Sequence, residues 1–591
     1  MSAYPKRNFV LRIQLILSLS VLLCLLFSTQ SVANDKSNVS AWAKRCGGES
    51  PVDMRTRRVQ GIFERVKNAS DARDKQSKLY ILQCDGWPWA ATLQDRNIIL
   101  TRGAIEAIYG SNDPLKSKDA RLAFVLGHEL KHVLEDDFWH EKIRRQQFMA
   151  SDSLVNYGER VKERRRHDER RADEDGFIYA SLAGFDTRDI FSAVRGEENF
   201  LADWAQQTST LSGDTHFLPD ERTKHLRQKF QSLNNAVDLF KYGVRLAHFG
   251  RYNEARVLLE DFQNIYPSAQ VLNNLGYVYL QIARQRMPPE LAYRFWYPAV
   301  LDYDSGVPLS ASRKIVTHEL SEDVRGFLNA AVRSLDSGVD KYNNATVTIN
   351  LVAALMYLKE YSAAQAALEK MDGWPNDPQL IALDAIAVMQ DARLKDPWNT
   401  YSLEKFELAA LREDATDDLI YNYARLLAES GRKEQATQQL TRLHGRLHQL
   451  PVDYRVMVCR QLKTVQCSSL QREDNNAAQW VMEITPGDDI DVAATRNKLK
   501  DWGEPVSDKL DGIDAKIYRH ENGNSLLALN GIVELIAIRQ HGYDFRDHLT
   551  SENGWPQYEV QTLGDESLLS YSENWSALVR SDEVREVWIA R

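Results

Sequence analysis

His128, Glu129 and His132 are the residues of this chain whose types and spacing most directly spell out a reaction. Two histidines four apart on a helix project from one face and can share a metal ion, and the glutamate between them lies beside that ion. With 13 His and 83 Asp+Glu in 591 residues, chance produces a His-Glu-x-x-His about 0.02 times per chain, so coincidence is a poor explanation. Leu122, Val125, Leu126, Leu130, Val133 and Leu134 give the surrounding stretch the apolar stripe of a buried helix. The chemistry such a helix supports is metal-assisted hydrolysis: the metal lowers the pKa of a bound water towards ~7, and Glu129 takes its proton and passes it to the leaving amine.

Two histidines leave a catalytic zinc one protein ligand short of three. The stretch His167-Asp-Glu169-Arg-Arg-Ala172-Asp173-Glu-Asp-Gly176 opens a second helix and supplies carboxylates. Glu169 and Asp173 are four apart and share a face, so Glu169 could bind the metal while Asp173 orients a ligand histidine from behind. On residue types alone Glu163, Glu174 and Asp175 remain alternatives, as members of a solvated, salt-bridged helix or as ligands.

The elements that must hold these groups are also legible. Residues 53–78 read as a charged helix, and residues 79–83 begin a strand. Residues 90–93 and 98–101, separated by the turn candidate 94–97, read as a hairpin placed directly before the metal helix. Residues 98–101 are the candidate edge strand on which an extended substrate would lie, and the same signals equally suit an ordinary inner strand.

His128-Glu-Leu-Lys-His132, Glu169-x-x-Ala-Asp173-x-x-Gly176, Gly184-Phe185-Asp186 and His216-Phe-Leu-Pro-Asp-Glu-Arg222 together resemble the gluzincin family of HtpX and the CAAX prenyl endopeptidases, over roughly residues 55–230. The resemblance implies His128, His132 and Glu169 as ligands of one zinc ion per chain. It implies Glu129 as catalytic base, Asp173 as the carboxylate behind the ligands, and His216 with Arg222 near the scissile carbonyl. His216 could also fill a core or surface role. Phe217 replaces the family's proline, and Trp89 stands where an Asn-Ala-Phe segment usually begins.

A net charge of -9 argues against nucleic acid, which calls for a basic face. Lys6, Arg7 and Arg12 precede an apolar run at residues 13–27 and then Ser31-Val32-Ala33, the pattern of a signal peptide (residues 1–33) cut after Ala33. The run is shorter than the ~20 residues a permanent span needs, so the expected address is the periplasm. Export leaves Cys46, Cys84, Cys459 and Cys467. Two local disulfides, Cys46 with Cys84 and Cys459 with Cys467, are favoured among three connectivities.

After residue 235 the pattern changes to paired helices. Tyr242-Gly243, Gly276 and the segments opening at Leu351 and Tyr423 fit tetratricopeptide units over residues 235–470, with small residues at helix crossings. Residues 480–591 read as a small α+β module, in part duplicated, with Asn530-Gly531 as a type I′ turn. The expected fold class is therefore mostly α and multidomain: an α+β zincin domain at 45–230, a helical solenoid and the C-terminal module. Export, zincin core and repeats in this order resemble the periplasmic β-barrel assembly-enhancing proteases. That resemblance implies unfolded or stalled envelope proteins, and the outer-membrane assembly machinery, as partners. A scaffold or chaperone with a latent protease site, and a peptidase for another envelope substrate, are the alternatives.

Overall fold

The computed structural model describes residues 39–72, 75–86, 89–135, 154–191, 200–209, 219–302, 320–342, 345–371, 374, 376–391, 400–447, 450, 452–462, 484–510, 513–520, 523–538, 559–563, 566–572, 575–580 and 583–591. The expected signal peptide, His216 and Cys467 lie outside them. The chain divides into two compact units, Met1–Leu233 and Asn234–Arg591. No helix among the described residues is long and apolar enough to cross a membrane.

In the first unit, helix α1 (Met54–Asn68) starts at Asp53, whose side chain accepts from the Thr56 amide while Thr56 accepts from the Asp53 amide. This reciprocal cap satisfies amides that the first helical turn leaves unbonded. Val59, Ile62, Phe63 and Val66 turn its apolar face into the core. Strands β1 (Leu79–Leu82), β2 (Ala90–Thr92) and β3 (Ile98–Thr101) follow. β2 and β3 form the expected hairpin, with Thr92 opposite Ile98 and Arg96 taking a positive φ in the turn. The sheet order is β1-β3-β2. The edge-strand expectation for residues 98–101 is thereby corrected: β3 is central, parallel to β1, and fully buried, while β2 forms the edge. Four consecutive apolar or β-branched residues, Ile98-Ile-Leu-Thr101, are what a strand buried on both faces requires. The Cys46–Cys84 disulfide ties the segment before α1 to the end of β1. Cys459 is disulfide-bonded as well.

Helix α2 (Arg102–Tyr109) leads into α3 (Leu115–Glu135), buried along most of its length. Tyr109 and Arg58 hold α3 from the α2 and α1 sides through Asp119, with Tyr109 Oη 2.7 Å and Arg58 Nε 2.8 Å from the carboxylate. Against α3 packs α4 (Leu154–Leu182). Their closest approach is glycine on glycine. A Cβ at Gly127 would stand 2.8 Å from the Gly176 carbonyl oxygen, and one at Gly176 would stand 2.7 Å from the His128 nitrogen. Only residues without a Cβ let the two backbones meet there.

The second unit is helical before it is a sheet. From the C-terminal part of Pro219–His248 (α6; α5 is Phe200–Ser209) it continues through α7 (Tyr252–Ile265), α8 (Ala269–Arg286), the short α9 (Pro289–Ala292), α10 (Glu322–Tyr342), α11 (Ala345–Leu358), α12 (Tyr361–Leu368), α13 (Pro378–Gln390), α14 (Thr400–Ala410), α15 (Asp417–Glu429), α16 (Lys433–His444) and α17 (Val452–Leu462). Small residues stand at crossings here too: a Cβ on Gly243 would press on Leu259, and one on Gly276 would overlap Leu335. After α18 (Ala493–Lys498) come β4 (Val506–Leu510), β5 (Ile513–Arg519), β6 (Ser525–Leu529), β7 (Ile532–Ile538), β8 (Glu559–Leu563), β9 (Glu566–Ser572), β10 (Trp575–Arg580) and β11 (Glu583–Ala590). They form one sheet in the order β4-β5-β6-β7-β11-β10-β9-β8, two four-stranded meanders joined by their last strands. Asn530 and Gly531 both have positive φ, as a type I′ turn requires.

This sheet does not stand apart from the helices. Arg245 on α6 is buried against Glu586 on β11 at 2.6 Å, and Tyr242 and Trp588 lie 5.3 Å from its guanidinium. Arg251 reaches Glu534, Arg519 reaches Asp238, and His248 bonds Ser576.

Candidate metal centre

α3 carries His128 and His132 one turn apart, with ring centroids 4.9 Å apart and Nε2 atoms 3.2 Å apart. α4 carries Glu169, whose carboxylate lies 3.5 Å from His128 Nε2 and 3.7 Å from His132 Nε2. Ligand atoms held ~2.05 Å from a tetrahedral zinc stand about 3.3 Å from each other. The measured separations fit that ion. Among the described residues these three form a group able to hold a metal, all three ligand atoms within 4.8 Å of one another.

The donor set is also prepared chemically. Asp173, one turn beyond Glu169 and almost fully buried, lies 3.0 Å from His128 Nδ1. His128 Nδ1–H donating to that carboxylate leaves Nε2 free to ligate. Burial disfavours a charged His128, yet hydrogen bonds and charge from Asp173 and Glu169 overrule it and push its pKa up to about 10. A pocket that holds a proton this firmly is an acidic cage for a cation, and a metal ion would take that place.

Glu129 is nearly buried on the same turn. Thr92 at the edge strand β2 presents its hydroxyl to two acceptors on Glu129, the main-chain oxygen at 2.7 Å and Oε2 at 3.0 Å. The carboxylate is thus held from the sheet side. Thr92 was not legible as a site residue: a threonine in a short strand is ordinary, and only the packing of β2 on α3 brings it to Glu129.

A second stitch joins the helices. Lys131 pairs with Asp175 at 2.5 Å and Glu135 at 3.0 Å, and Arg171 pairs with Glu135 at 2.9 Å. Burial lifts the Asp175 pKa despite Lys131. The alternatives to Glu169 are accounted for: Asp175 faces Lys131, Glu174 bonds His225 Nε2 at 2.7 Å, and Glu163 is exposed. His225 is a further contact that the sequence left unmarked. His216 falls outside the described residues, as does the side chain of Arg222.

A small mixed sheet with β2 at its edge, a buried His-Glu-x-x-His helix and a second helix that supplies a carboxylate form an arrangement suited to metal-assisted hydrolysis. Residues 53–229 match the model of Peptidase family M48, which supports an M48 metallopeptidase, a zinc-dependent class. No curated protein matches the chain.

Proposed function

We propose that this chain is an exported zinc endopeptidase of the β-barrel assembly-enhancing kind, acting in the periplasm on unfolded or stalled outer-membrane and other envelope proteins. The observation that carries the protease reading is the convergence of His128, His132 and Glu169 at zinc-ligand spacing, with Glu129 on the same turn. Zinc bound there would polarise a peptide carbonyl and acidify a water. Glu129 would take the proton of the attacking water at its carboxylate and return it to the leaving amine, while Thr92 keeps the carboxylate in place. Asp173 holds the His128 ring in the ligating tautomer. His216 is the candidate donor to the oxyanion.

The helical region 235–470, read as tetratricopeptide units, would capture clients or dock on the assembly machinery, giving the protease a chaperone-like capacity. Support for export comes from the basic, apolar and small-residue pattern of residues 1–33. The test is cleavage of an unfolded outer-membrane β-barrel protein by the chain beginning after Ala33, beside its Glu129→Gln variant. Cleavage by the parent alone, abolished by chelation, is the expected result. Equal cleavage by both would remove Glu129 from the chemistry.

A further inference from the structure

Residues 293–302 form neither helix nor strand, yet most of them are buried. Side chains alternate between core and rim from Tyr293 to Ala299, the period of extended chain: Tyr293, Phe295, Tyr297 and Ala299 point inward, while Arg294, Trp296 and Pro298 are half-buried. A buried irregular segment must place its backbone hydrogen bonds somewhere. Beyond the turn at Tyr293 and Arg294, whose amides bond Pro289 and Leu291, side chains of three helices take those of Trp296, Val300 and Asp302.

Asn274 on α8 accepts from the Asp302 amide and donates to the Asp302 carbonyl, both at 2.7 Å. Asn350 on α11 does the same to Val300, again at 2.7 Å each way. Asn422 on α15 grips Trp296, with 2.5 Å to its amide and 3.0 Å to its carbonyl. Tyr357, Tyr421 and Arg425 take the carbonyls of Ala292, Tyr293 and Arg294. The segment therefore runs from α15 back to α8, opposite to the order of the helices.

A carboxamide carries a donor and an acceptor in one plane, matching the N–H and C=O of one residue in an extended chain. Three such pairs read main chain and no side chain, which is how a surface binds extended peptide with little regard to sequence. We propose that the shared face of α8, α11 and α15 is a main-chain-reading groove for extended segments of unfolded polypeptide, with residues 292–302 as its built-in occupant. A client entering as the strap leaves restores the same six hydrogen bonds, so the polar part of the exchange is close to neutral. An empty groove would strip three buried carboxamides of their main-chain partners, leaving Asn350 and Asn274 only their bonds to Asn273. Exchange by competition is accordingly favoured over spontaneous opening. A groove of this kind deepens the client-capture role proposed above and takes from it only the class of client.

The test uses the full exported chain carrying Glu129→Gln, so that peptide is bound and not cut and a failure leaves the protease reading untouched. Arg294→Ala removes the bidentate pair that anchors the strap at the rim to Glu429. A fluorescent peptide with the sequence of residues 291–303, and an unrelated peptide of equal length with alternating apolar residues, serve as probes. Both should bind the Arg294→Ala chain about tenfold more tightly than the parent. Adding Asn422→Ala, or independently Asn350→Ala, should remove that gain, with melting temperature reporting that the helices remain folded. Hydrogen exchange at residues 292–302 should quicken when peptide is added. Absence of binding to the Arg294→Ala chain, or binding indifferent to both asparagine substitutions, would overturn the proposal. So would strap amides that exchange only on global unfolding.

Discussion

Gly176→Ala isolates the one backbone contact on which the metal centre depends. The added Cβ would stand 2.7 Å from the His128 nitrogen, 3.0 Å from its Cα and 3.1 Å from the Phe124 oxygen, all main-chain atoms that cannot swing aside. Restoring ordinary contact at 3.4 Å requires α3 and α4 to part by 3.4 − 2.7 = 0.7 Å. His128 rides on one helix and Asp173 on the other, so their 3.0 Å hydrogen bond would open to 3.0 + 0.7 = 3.7 Å, beyond bonding range. Glu169 would withdraw from both imidazoles by a similar amount. Loss of a partner behind a ligand costs ~10–100-fold in metal affinity, and overpacking of this kind costs about 1–3 kcal/mol of stability. Competition with a zinc chelator reads the first quantity and a denaturant midpoint the second. Gly61→Ala is the matched control: it too sits within a helix, has nothing within 4 Å of the added atom, and should leave zinc affinity unchanged while raising stability by up to about 1 kcal/mol. A Gly176→Ala protein that binds zinc as tightly as its parent would refute the claim that the glycine contact sets the ligand geometry.

Thr92→Val keeps the shape of the edge strand and deletes the hydroxyl that holds Glu129; kcat should fall about tenfold while KM and zinc content hold, and Thr92→Ser should restore it. His248 is half-buried against the sheet, and burial lowers its pKa from 6.5 to about 4. It stays neutral in the folded chain while the unfolded chain can protonate, so its contribution is intact above pH 6.5 and is lost as the pH falls from there towards 4. The loss reaches about 3 kcal/mol, visible as a steeper decline in denaturant midpoint than that of His248→Gln over the same window. Reduction of Cys46–Cys84, which spans 38 residues, should cost about 4 kcal/mol by loop-closure entropy; a midpoint unmoved by reductant would show that the loop is closed without it.

The metal helix was legible because its signal is local: a four-residue spacing on an amphipathic stretch needs only helical geometry to bring His128 and His132 together. The hairpin before it and the Asn530-Gly531 turn were local in the same sense, each set by turn residues and alternation. Glu169 was named in advance, but residue types alone left it among Glu163, Glu174 and Asp175. Tertiary packing separated them, turning Asp175 to Lys131 and Glu174 to His225 while bringing Glu169 to the imidazoles. The order of the first sheet also escaped the sequence, because a run of four buried residues reads the same in a central strand as at a covered edge, and the parallel pairing of β1 with β3 involves partners about twenty residues apart. Thr92 beside Glu129, the C-terminal sheet held by Arg245 and Glu586, and the asparagines that grip residues 296–302 all belong to this second kind. Each joins side chains distant along the chain, in types common enough to carry no signal of their own. What the sequence determined by itself was the chemistry and the local elements that carry it; which groups meet was decided by the packing that brings those elements together.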